Sequence, residues 1–220
     1  YGILIAFKNY NIFAGSNPID AIAKSPWVGF ANFERLFKSS EFIKVLANTL
    51  IINGMKILFL FPIPIICAIL LNEIRNKAFR KLSQTAIYVP YFFSWVVVFG
   101  IFYSLFGSYG VVNNVIAALG HARIKFFTDT GIFRWLLVFT EGWKEIGYNT
   151  VIYLAAITGI DIALYEAASV DGANKWKQIW HVTMPGLLPT IVLMFILKVG
   201  YILYTGFEQV LVFYNPAVYD

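Results

Sequence analysis

The chain has one cysteine, two histidines and few charges: only 13% of its 220 residues are Asp, Glu, Lys or Arg, about half the share of a soluble domain. A single Cys67 rules out a disulfide within the chain. Its place inside an apolar run makes it a small packing residue. His121 and His181 lie far apart in different loops, and no metal-ligand spacing or nucleophile elbow accompanies them. No G-x-x-x-x-G-K-[ST] is present, so no P-loop cradles a nucleotide. Basic runs interleaved with aromatics are also missing, which argues against a nucleic-acid partner despite a net charge of +5.

Apolar residues fill the space these absences leave. Hydrophobic side chains make up 59% of the chain and aromatics 18%, and the mean hydropathy is +0.70. The class expected is an all-α, polytopic transmembrane helix bundle, a single domain over 1–220. Four runs approach the length a bilayer demands: about 45–71, 85–106, 133–160 and 187–204. Pro62 and Pro64 in the first run and Pro90 in the second predict kinks. Residues 1–7 read as the stub of a truncated helix, and the end at Asp220 reads as a cut. The stretch from Val111 to Leu119 is expected to form a short surface helix.

Basic residues in short loops set orientation. Arg75, Lys77, Arg80 and Lys81 mark 72–84 as cytoplasmic. Alternation then puts 161–186 on the same side and the long aromatic segment 8–44 outside. Most aromatics belong to lipid-facing, core or interfacial positions.

The loop 161–186 carries the densest local information. Asp161 can cap a helix reaching Val170, rich in Ala163, Ala167 and Ala168. Gly172 supplies a turn at positive φ. A second short helix is expected over Lys175 to His181, ended by Pro185. Two short helices hinged at a glycine make a preformed knob suited to a groove on a soluble partner.

Charge also enters the third run. Glu141, Lys144, Glu145 and Tyr148 fall at i, i+3, i+4 and i+7, one helix face. A charge at the bilayer centre costs roughly 2.5–3.5 kcal/mol, so Glu141 is expected to neutralise locally with Lys144 or Glu145 at helical neighbour spacing. In the fourth run Lys198, Tyr201 and Thr205 repeat the spacing. These two faces, with Trp143, Tyr148 and Tyr201 as ring donors, either line a polar path near mid-membrane or hold helices together by an internal ion pair. Lys56 is a further intramembrane cation. Glu208, Gln209, Tyr214 and Asn215 are expected in an outer loop.

Glu166-Ala167-Ala168, then Gly172 after three residues, then Val182-x-Met184-Pro185 after nine more, resemble the EAA signature of ABC importer permeases. Val182 and Met184 stand where that family has Ile and Leu. Tyr165 through Ala173, with Asp171-Gly172-Ala173, resembles the carbohydrate-uptake branch. The segments Tyr1 to Tyr10 and Gly206 to Val210 are similar to its oligosaccharide, MalF-like, permeases. The resemblance implies a type I importer permease fold with six or more spans, truncated here at both ends. It implies that Glu166, Ala167, Ala168, Asp171, Gly172 and Pro185 form a coupling helix on ABC ATPase subunits, which bind ATP and Mg. The chain would then be no enzyme itself and would hold no cofactor. The implied partners are a second permease subunit, an extracytoplasmic solute-binding protein and membrane lipid. The implied setting is the bacterial plasma (inner) membrane, and the implied task is oligosaccharide import, with the substrate path at Glu141, Trp143, Lys144, Glu145, Tyr148, Lys198, Tyr201 and Thr205. The competing reading is an ATP-independent secondary transporter or channel that couples ions through Glu141, Lys144 and Glu145. It predicts inverted repeats, and none is visible.

Overall fold

The structure, a computed structural model, describes residues 2–204 and 206–218. Every regular element among them is helical, apart from one isolated bridge between Lys8 and Trp27. The contacts divide the chain into two compact units, 1–49 and 50–220.

In the first unit, α1 (Gly2–Ile5), α2 (Pro18–Lys24) and α3 (Ala31–Lys38) precede α4 (Ser40–Leu60), which begins there and ends in the second unit. Asn17 caps α2 by accepting the N–H of Asp20 at 2.9 Å, and Pro18 occupies the first turn, where no donor is needed. Phe7 stacks on Trp27 and meets Phe30 and Phe33 edge-on or tilted. Asn32 donates to the carbonyls of Ala6 and Lys8, which fixes α3 against the extended chain.

The second unit is organised around one long helix. Its elements are α5 (Pro62–Glu73), α6 (Lys77–Tyr88), α7 (Trp95–Phe106), α8 (Val111–Ala118), α9 (Thr130–Thr158), α10 (Ile162–Val170), α11 (Lys175–Gln178), α12 (Met184–Gly200) and α13 (Phe207–Phe213). The N-terminal half of α9 gives Phe133, Leu136 and Leu137 to a core shared with Val98, Phe102, Phe127 and Phe213. Its C-terminal half gives Tyr153, Leu154 and Ile157 to a second core with Ile65, Ala68 and Leu187. The charged turn around Glu141 falls between these two cores. Gly147 allows α9 to approach the end of α6: a Cβ there would lie 2.2 Å from the carbonyl oxygen of Ile87.

Among the described residues, three segments are long and apolar enough to cross a bilayer: Ser40–Glu73, Trp95–Ala118 and Lys175–Gly200. A fourth is reached if Thr130–Thr158 and Ile162–Val170, bent by 67°, count together. Leu58, Leu70, Val96, Leu193 and Ile196 are all exposed on the protein surface, as expected where lipid is the solvent.

Some boundaries differ from the sequence reading. The run 85–106 is not one helix. Pro90 sits in a 3₁₀ turn over Val89–Phe92, and Ser94 opens a new helix by accepting the N–H of Val97. Pro185 does not end the second loop helix. A π turn over Ile179–Thr183 joins α11 to α12, and Pro185 lies in the first turn of α12, where its missing N–H is tolerated. The fourth run stops at Gly200, so Tyr201 caps α12 instead of continuing its face. Thr205 lies outside the described residues. The surface helix expected from Val111 forms over Val111–Ala118.

Candidate functional site

At the waist of α9 a buried polar network joins four elements. Glu141, 2% exposed, receives the ammonium of Lys56 from α4 at 2.5 Å and that of Lys198 from α12 at 3.1 Å. Lys56, 1% exposed, also donates to Oε1 of Gln209 on α13 at 2.7 Å. The Gln209 amide then donates to the carbonyl of Leu137 and the hydroxyl of Thr140. Among the described residues no buried side-chain nitrogen or oxygen lacks a partner, the condition under which such a network is tolerated at low dielectric.

Lys144 does not pair with Glu141. It donates to the carbonyl of Tyr91 at 3.0 Å and to Glu145 at 3.3 Å, with its ammonium over the rings of Tyr91 and Trp95 at 5.0 and 5.4 Å. This is a cation–π setting, which offsets part of its desolvation. Tyr148 stacks on Tyr91 at 4.6 Å. Lys56, Lys144 and Lys198 face Glu141 and Glu145, so the waist holds three cations and two carboxylates.

A groove of about 330 Å³ opens onto this network, lined by Trp95, Glu141, Glu145, Lys198, Tyr204, Gly206, Phe207 and Glu208. A smaller pocket shares Glu141, Glu145 and Lys198 and extends toward Asn149, Tyr153 and Met194. Trp143 joins neither lining; it packs against Phe93 and Phe102 in the first core. Tyr201 is 59% exposed beyond the end of α12. Gln209 belongs to no outer loop, since it is fully buried, and Asn215 donates to the carbonyl of Phe127. The sequence signal for Gln209 was weak: one amide in an apolar stretch.

The second candidate lies at the other end of α9. Asp161 caps α10 by accepting the N–H of Ala163 at 2.9 Å. Gly172 adopts φ +75°, and the N–H of Ala173 returns to the carbonyl of Ala168, a glycine-terminated helix end. Asn174 caps α11 through the N–H of Lys177. Glu166, Ala167, Asp171, Gly172 and Pro185 are exposed, and Ala168 is half-buried. Ile162, Leu164, Val170, Trp176 and Trp180 are exposed around them, an apolar display that marks an interaction surface. His181 is exposed, with Nδ1 2.9 Å from the carbonyl of Lys177.

The chain resembles known proteins along almost its whole length. It is 41% identical over 216 residues to Protein LplB of Bacillus subtilis, covering 98% of this chain and 66% of the relative. It is 43% identical over 218 residues to the polygalacturonan/rhamnogalacturonan transport system permease protein YteP of the same organism, covering 99% and 66%. The chain thus spans just under two thirds of the length of these relatives. A crystal structure of a bacterial ABC transporter involved in the import of the acidic polysaccharide alginate superposes with a TM-score of 0.88 at 39% identity, covering 99% of this chain and 71% of that one. A related structure, in complex with an alginate pentasaccharide-bound periplasmic protein, gives 0.83 at 42% identity, covering 87% and 67%. Residues 61–219 match the family described as binding-protein-dependent transport system inner membrane component, and the chain belongs to that family.

Proposed function

We propose that this protein is a permease subunit of an ATP-driven ABC importer for an oligosaccharide, multi-pass in the bacterial plasma membrane. The observation that carries the proposal is the hinged, solvent-facing pair α10–α11, whose exposed apolar rim continues directly into a membrane span. In this reading Glu166, Ala167, Ala168, Asp171, Gly172 and Pro185 dock on an ABC ATPase subunit that binds ATP and Mg. A second permease completes the pathway, and an extracytoplasmic binding protein delivers the substrate. Closure of the ATPases moves the loop and swings the cavity outward as a rigid-body change.

The substrate path is assigned to the groove at the waist of α9. Glu141, Glu145 and Lys198 supply hydrogen-bonding groups to sugar hydroxyls, and Trp95, Tyr204 and Phe207 offer ring faces to sugar C–H surfaces. Lys144 braces that wall by donating to Glu145 and lying over the ring of Trp95, while Tyr148 stacks behind it on Tyr91. Lys198 is the cation of the groove wall, beside the carboxylates of Glu141, Glu145 and Glu208, and is the group that would meet an acidic substituent on a saccharide. The relatives named for alginate and polygalacturonan transport support that class.

The test is co-purification and uptake. The full-length protein solubilised in detergent should capture an ABC ATPase. With its partners in proteoliposomes it should take up an oligogalacturonide only when ATP and Mg are present. Uptake without an ATPase would favour a secondary transporter and refute the proposal.

A further inference from the structure

The coupling loop is not tethered by backbone alone. The hydroxyls of Tyr165 on α10 and Thr183 in the π turn lie 2.9 Å apart. The Gln178 amide donates to the hydroxyl of Ser169 at 2.8 Å, and that hydroxyl donates in turn to the carbonyl of Tyr165. Gln178 and Thr183 are 7% and 3% exposed, although every residue from 161 to 177 is exposed or half-buried.

The π turn explains how both residues reach α10. In a regular α-helix, residues five apart point about 140° away from each other. Here the N–H of Met184 bonds the carbonyl of Ile179, the i→i+5 pattern that brings such residues toward one face. The first turns of α12 are anchored in the same way. Leu187 is fully buried against Tyr153 and Ile157, and Gly186 lies so close to Ile160 that a Cβ there would meet its Cδ1 at 2.6 Å.

We infer that Tyr165, Ser169, Gln178 and Thr183 are positioning residues that lock α10, α11 and the start of α12 into one rigid lever. The inference rests on the coupling role proposed for the loop. Without the lock, α10 would be free to swing about Gly172, and a push on it would be lost before it reached the span.

The test uses the full-length chain in nanodiscs with its ATPase, companion permease and binding protein, in a Cys67→Ala background. Spin labels are placed at Ala163→Cys on α10 and Leu188→Cys on α12, both exposed and neither part of the apolar docking rim. In the wild-type background the interspin distance should stay within about 2 Å when ATP and Mg are added, because a rigid body moves without internal change. Thr183→Val or Gln178→Met should broaden the distance distribution and lower oligogalacturonide uptake per ATP hydrolysed about fivefold, a coupling loss at the lower end of the usual range. Thr183→Ser should restore both. Tyr165→Phe combined with Thr183→Val should be no worse than either alone, since both remove one bond. A distance that shifts with nucleotide in the wild-type background overturns the lever. So do variants that keep a narrow distribution and an unchanged uptake-to-ATP ratio. A chain that captures no ATPase refutes the importer reading instead, and broadening in the variants without nucleotide still decides the lock.

Discussion

Glu141→Gln is the most informative single change at the waist of α9. It keeps the side-chain shape but removes the carboxylate that two ammonium groups share. Breaking a buried pair by removing one partner costs about 3–5 kcal/mol, because the other charge stays buried. The two lysines differ in how they respond. Lys198 has 30% of its side chain exposed and can turn toward the groove, whereas Lys56 is enclosed and keeps only neutral acceptors, Gln209 and the amide oxygen left at position 141. The total should therefore fall near the lower end, about 3 kcal/mol. Double-mutant cycles sharpen the expectation. Glu141→Gln with Lys56→Met should give a coupling of about 2–3 kcal/mol. Glu141→Gln with Lys198→Met should give less than about 1 kcal/mol once solvent screening is allowed for. Unfolding of the solubilised full-length chain in SDS mixed micelles reads both. Equal couplings, or a larger one for Lys198, would refute the reasoning that burial sets the strength of this network.

Other perturbations follow from local geometry. Gly147→Ala puts a Cβ 2.2 Å from the carbonyl of Ile87; the helices must separate, and folded yield measured by size-exclusion chromatography should fall as for an overpacking change of about 1–3 kcal/mol. Gly172→Val forces a β-branched residue to φ +75°, a local strain of about 1–3 kcal/mol; ATPase capture should be lost while SDS unfolding of the bundle changes little. Lys144→Met removes the cation between Tyr91 and Trp95; oligogalacturonide uptake should drop while co-purification of partners persists, and normal uptake would remove Lys144 from the path.

The loop 161–186 was legible in the sequence where its determinants are local. Asp161 caps the helix that follows it and Gly172 turns the chain at positive φ, each as its type dictates. The waist was half legible. A charged turn inside an apolar run demands partners, but the sequence offers Lys144 as the nearest, and the fold turns it to the carbonyl of Tyr91. The true partners, Lys56 and Lys198, are remote in sequence, and no periodicity connects them to Glu141. Gln209 was read as an outer-loop residue because a lone amide beside an apolar stretch does not reveal partners as remote as Lys56 and Thr140. The second run misled for a related reason: continuous hydropathy over 85–106 does not reveal that Pro90 and Ser94 restart the helix.

The two candidate sites are parts of one closed frame. From Glu141 to Thr158, α9 runs 17 residue steps without interruption, about 26 Å at helical rise. From Met184 to Lys198, α12 returns over 14 residue steps, about 21 Å. The loop joins these helices at one end, and the ion pair between Lys198 and Glu141 joins them near the other. α9 is held on both sides by apolar cores, so it resists bending. The return helix contains Pro189, which leaves the carbonyl of Pro185 without its helical donor. A displacement imposed on the loop therefore meets a stiff helix on one side and a weakened one on the other. The strain concentrates in α12 and arrives at Lys198, the most exposed charge of the network and part of the groove wall. Replacing Pro189 with Leu would restore the missing bond and stiffen that arm. Uptake of oligogalacturonide per ATP should then fall while ATPase capture persists. An unchanged ratio would mean that the flexibility of α12 plays no part in moving the groove.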